Sequence, residues 1–148
     1  MCAAARDLLP IEGADRAAVV LEDTNVFVGA GFNPQSHSAR VVDAIRIGRL
    51  RMLWNEATRR ETERIVRQIP RLSCERLAPL FRDEDRFRGE TVPAEFDYVP
   101  DSADRKFAAL ADAARAPLVT SDKDLLQSRE RARVPILTPA EFVRRYPT

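Results

Sequence analysis

Cysteine and histidine are nearly missing from this chain of 148 residues, which has two of the first, Cys2 and Cys74, and one of the second, His37. Two cysteines cannot build a disulfide framework, and a single histidine beside them all but excludes a zinc site of the Cys/His type. Charge of one sign is missing too. Lys and Arg number 24 against 23 Asp and Glu, leaving a net +1, so any anion binding must come from local clustering rather than from the field of the whole chain. No apolar run is long enough to span a bilayer. The opening residues, 1–16, break into charge and proline too soon for a secretory signal, and the expected setting is a reducing cytoplasm with no membrane contact. What is present, 45% hydrophobic and 32% charged residues, is the composition of one folded domain with a core of its own.

The apolar runs alternate with helical stretches. Residues 1–17 read as a short N-terminal extension, and residues 18–148 as one domain. Residues 18–23 form a continuous apolar run that stops on acids, which suits a strand covered on both faces. A Gly/Pro loop follows, then a helix capped by Ser36 or Ser38 and running to Gly48. Residues 51–54 predict a second strand. Asn55 caps a helix ending near Pro70 with Ala57, Thr58, Ile65 and Val66 toward the core. Another helix starts near Ser73 and carries Leu77 and Leu80. The run Phe81-Arg-Asp-Glu-Asp-Arg-Phe-Arg reads as an exposed helix end, or as a rim that grips RNA or a protein. Residues 95–99 predict a weak third strand, residues 103–116 a helix, 118–120 a fourth strand, 134–138 a fifth, and Pro139 opens the last helix. Strand and helix in alternation give a parallel sheet wrapped by helices.

On that skeleton the acids gather at strand ends. Asp23 follows the first strand, Asp101 and Asp104 the third, Asp122 and Asp124 the fourth, and Glu61 lies one and a half turns into the helix after the second. Ligands of open α/β sheets bind at the carboxyl ends of the strands. Clustered carboxylates repel one another unless a cation balances them, and an all-oxygen donor set suits Mg²⁺ or Mn²⁺. Such an ion polarises a phosphodiester and activates water. Carboxylates alone would repel nucleic acid, and the chain supplies cations beside them: Arg59, Arg60, Arg64, Arg105, Lys106 and Lys123. Acids inside with a basic rim outside is a layout for metal-dependent cleavage of nucleic acid.

Four stretches resemble the motifs of one family in order. Asp23-Thr-Asn-Val after an apolar strand resembles the first motif of PIN-domain nucleases. Glu61-Thr-Glu-Arg-Ile-Val is similar to the second acidic position, the stretch Asp101 to Ala111 to the third motif, and Leu118 to Leu126 to the fourth. The last strand and helix resemble the family's as well, so the likeness covers about residues 18–143. It implies a three-layer α/β/α sandwich with a five-stranded parallel sheet in the order 3-2-1-4-5, and a Mg²⁺- or Mn²⁺-dependent endoribonuclease. The variant is similar to VapC-like toxins of bacterial toxin–antitoxin pairs, which implies a homodimer and an antitoxin partner. Carried over by motif, Asp23, Glu61, Asp104 and Asp122 hold the metal, with Asp101 and Asp124 secondary. Asn25 and Thr120 or Ser121 support by hydrogen bonds, and Arg59, Arg60, Arg64, Arg105 and Lys123 clamp RNA phosphates.

Each acid also has an ordinary reading. Asp101, Asp104 and Asp122 suit helix caps and first turns, and Glu61 suits an exposed pair with Arg60 or Arg64. Asp23 resists this, because an acid ending a buried strand is costly unless it is paired or opens into a cleft. A phospho-acceptor signalling domain also has acids at strand ends, and Glu22-Asp23 resembles its acidic pair, but residues 134–138 lack the lysine that class needs. A small phosphatase needs a second Asp where Asn25 stands. A catalytically silent PIN-like RNA-binding scaffold stays open.

Overall fold

The structure, a computed structural model, describes residues 17–22, 26–27, 33–70 and 72–146. The candidate site residues Asp23 and Asn25 and most of the N-terminal extension lie outside them. Strands β1 (Ala18–Leu21), β2 (Arg51–Met52), β3 (Leu118–Val119) and β4 (Ile136–Leu137) form one parallel sheet in the order β2-β1-β3-β4. The helices are α1 (His37–Arg46), α2 (Glu56–Val66), α3 (Cys74–Leu77), α4 (Arg105–Ala114), α5 (Lys123–Gln127) and α6 (Pro139–Arg145).

The strand β1 is apolar throughout because both its faces are covered. Val19 and Leu21 pack into a core layer with Val41, Ile45 and Phe142, while Val20 turns to the opposite layer with Phe107, Leu110 and Leu118. Helices on both faces of a parallel sheet make the three-layer α/β/α arrangement. Side-chain caps start the helices where the sequence places them. Ser36 accepts from Ala39 N at the head of α1, and Asn55 and Thr58 form a reciprocal capping box at the head of α2. Thr138 and Glu141 form a second box on α6, with Pro139 in the first turn.

The described sheet has four strands rather than the five expected. Residues 95–99 are not a strand: Pro93–Phe96 is a 3₁₀ turn. Phe96 and Val99 are buried while Glu95 and Asp97 are exposed, a three-residue spacing that belongs to a helical turn. The outermost strand position is held instead by a single parallel bridge between Trp54 and Arg86, with Phe87 N donating to Trp54 O at 2.8 Å. The charged run around it is therefore no exposed helix end. Phe81 and Asp85 are buried, and Asp85 takes the Arg51 guanidinium at 2.7 Å. On α2 the covered face is Thr58, Glu61, Thr62 and Val66, whereas Ala57 is exposed and Ile65 only half-buried. Asp104 closes a 3₁₀ turn, Ser102–Asp104, that leads directly into α4.

Candidate metal centre

Alternation along β1 places Glu22 on the face of the site. Val20 faces the layer that holds α4, and Glu22, two residues on, continues that face. Glu22 is 2% exposed, and its backbone N–H donates to Val119 O at 3.0 Å, which carries the pairing with β3 one step past the strand. Beside it, Thr120 is fully buried and donates its hydroxyl to Glu22 Oε1 at 2.7 Å. The same hydroxyl oxygen accepts from Asp122 N at 2.9 Å. Asp122 caps α5 by accepting from Asp124 N at 2.8 Å. Asp104, buried at the head of α4, arrives from the third direction.

Glu22, Asp104 and Asp122 each offer a carboxylate oxygen, and the three oxygens lie within 4.8 Å of one another. Oxygens on opposite sides of an octahedral Mg²⁺ stand about 4.2 Å apart, given Mg–O bonds of about 2.1 Å. The spacing and the purely oxygen donor set therefore fit a hard divalent cation. Three carboxylates this close repel one another, and a cation offsets that repulsion.

Glu61 is placed differently. It is buried, but its carboxylate is engaged by Arg64 Nη2 at 2.7 Å and by Lys106 Nζ at 3.5 Å. The Arg64 hydrogen bond holds its carboxyl below the ordinary 4.5 against the opposing effect of burial, with the charges of Lys106 and Arg64 adding to it. Asp101 is exposed and caps the 3₁₀ turn through Ala103 N. Asp124 is half-buried and Ser121 exposed. Of the five expected phosphate clamps, three have internal partners. Arg59 lies over Trp54 and Phe81 and pairs with Glu63, Arg64 pairs with Glu61, and Arg105 donates to Val99 O and Asp97 O. Arg60 and Lys123 are exposed.

Sequence reasoning passed over Glu22 as a site residue because the motif drew attention to Asp23. The signal was the period-two pattern itself, which places Glu22 on the face of Val20.

A parallel sheet covered by helices on both faces, with three carboxylates at its carboxyl edge, defines an α/β domain built around an acidic site. The chain belongs to the PIN domain family, whose sequence profile matches residues 19–124. No curated protein and no solved structure matches the chain. No helix among the described residues is long and apolar enough to cross a membrane.

Proposed function

We propose that this PIN domain hydrolyses RNA phosphodiester bonds at the Glu22–Asp104–Asp122 end of the sheet, with Mg²⁺ or Mn²⁺ as cofactor. The observation that carries the reading is the meeting of three carboxylate oxygens, from β1, α4 and α5, within 4.8 Å in a chain of a family whose members are generally nucleases. A bound divalent ion supplies Lewis-acid stabilisation of the phosphodiester and activation of water. The chain's own groups position it. Thr120 fixes Glu22 through its hydroxyl, and the cap on α5 fixes Asp122. Glu61, held anionic by Arg64 and Lys106, enters as a fourth acid on the motif. Asp23 and Asn25 enter the proposal on the motif alone, with Asp101 and Asp124 as secondary acids. Of the expected phosphate clamps, Arg60 and Lys123 are left to meet phosphate.

We further infer the toxin half of a bacterial toxin–antitoxin pair, VapC-like, acting in the cytoplasm as a homodimer. In that reading residues 1–17 are an extension ahead of a PIN domain that runs from 18 to 148. The motif resemblance supports this finer assignment. The direct test is cleavage of a long RNA with Mn²⁺ and with chelator, mapping the ends. Cleavage should leave 5′-phosphates, stop with chelator, and disappear in Asp23→Asn, Asp104→Asn and Asp122→Asn. A fully active Asp104→Asn protein overturns the reading.

A further inference from the structure

The acidic centre needs cations to bring RNA to it, and most of the basic groups around it have internal partners. One set does not. Arg88 is exposed and has no charged partner among the described residues. It lines an open cleft of about 380 Å³ together with Asn55, Glu56, Ala57, Arg86 and Phe87.

The cleft lies at the carboxyl edge of the sheet, as the acidic centre does. The β1–β2 register pairs Ala18 with Arg51 and Val19 with Met52. The last bond of that pairing is Leu53 N to Val19 O at 2.8 Å, so Asn55 leaves the second strand at the same edge where Glu22 leaves the first. The Trp54–Arg86 bridge and the bond from Phe87 N to Trp54 O at 2.8 Å bring Phe87 to that edge on the far side of the second strand. A strand of nucleic acid with its reacting bond at the carboxylates has its neighbouring nucleotides within reach of this cleft.

The cleft's chemistry suits a single strand. Phe87 is half-buried, and its ring lies against Gly89 so closely that a Cβ there would sit 2.7 Å from the ring's Cζ. The ring is thereby braced on bare backbone and packs in part against the core layer of Val20 and Phe107. Arg86 lies over the Trp54 ring and reaches Glu56 only at 3.8 Å, with Glu56 half-exposed, so a phosphate can compete for it. An aromatic ring for a base beside guanidinium groups for the backbone is how single strands are held without sequence readout. Glu56 is the one carboxylate lining the cleft, and it opposes an anion there.

We propose that this cleft is a subsite for single-stranded RNA, with an unpaired base on Phe87 and backbone phosphate on Arg88 and Arg86. The proposal rests on the nuclease reading for its purpose, so its test is made without turnover. Binding of a labelled oligouridylate is measured by fluorescence anisotropy in chelator across a salt series, and melting temperature is recorded for each variant. Arg88→Ala should weaken binding several-fold and lower the slope of log affinity against log salt by about 0.7, the share of one phosphate on a single strand. Phe87→Leu should weaken it roughly ten-fold, the size of one lost base stack. Glu56→Gln should tighten it, a direction no loss of structure produces. If Phe87→Leu melts early, Arg88→Ala and Glu56→Gln decide. Binding unaltered in both of those, or duplex RNA competing as well as single strands, overturns the subsite whether or not the protein cleaves RNA. Failure to cleave any RNA, with the binding changes intact, overturns the nuclease reading and leaves the subsite standing.

Discussion

Thr120 is the smallest part of the site and ties the most together. Its hydroxyl donates to Glu22 and accepts from the backbone of Asp122, so one oxygen sets the spacing of carboxylates that arrive from two elements. It is fully buried. Thr120→Val keeps the shape and removes both bonds. Leaving buried polar groups unsatisfied costs roughly 1–3 kcal/mol, so the variant should lose about that much in urea denaturation, with metal affinity falling alongside. A change below about 0.5 kcal/mol with unaltered metal affinity would show that water replaces the hydroxyl without cost. At this scale the sequence was readable in part. Asp122 stands where the end of β3 meets the cap of α5, and both roles could be seen in the letters, whereas Asp104 follows a 3₁₀ turn where the letters suggested a strand. Glu22 was less legible because a stronger motif starts one residue later. Which arginines have internal partners was not legible at all, since Arg105 meets carbonyls of Asp97 and Val99 through a turn that the letters suggested was a strand.

Elements with a chemical start signal were the most legible. Asn55, Ser36 and the Thr138-Pro139-Ala-Glu141 box each fix a helix start by a local bond, and local bonds do not depend on the rest of the fold. The outer strand was not legible, because a single bridge at Arg86 inside a charged run leaves no pattern of two. Helix α6 permits a test of the cap. Glu141 accepts from Thr138 N at 2.9 Å and pairs with Arg129, and these contacts, the backbone bond first, hold its carboxyl below the ordinary 4.5. A depressed carboxyl contributes stability that is complete above its unfolded value and is lost as pH falls through its folded one. Glu141→Gln should therefore be less stable than the parent at neutral pH, and the gap should close as pH drops below about 4.5. Melting curves from neutral pH to pH 3 measure it. A gap that persists unchanged in acid would assign the loss to packing rather than charge.

For the whole molecule, the topology accounts for both the site and its cost. A parallel sheet delivers the ends of β1 and β3 and the heads of α4 and α5 to one edge, so carboxylates distant in sequence meet without any local signal between them. The balanced composition of the chain says nothing of this local excess of negative charge. Holding three acids within 4.8 Å stores repulsion that folding must overcome and that a divalent ion releases. Two opposite shifts follow from one substitution. Asn caps a helix as well as Asp does, so Asp122→Asn keeps the start of α5 while removing one of the three charges. Without metal the variant should melt above the parent, because repulsion at the edge has fallen. With Mn²⁺ the order should reverse. At about a hundred times its dissociation constant the ion stabilises the parent by about 2.7 kcal/mol through linkage, roughly 5–10 °C for a domain of this size, and chelator should return it to its starting point. The variant should respond weakly to either addition. A site with only a structural role would lose stability on Asp122→Asn under both conditions, and that result would remove the acidic centre from the account of function.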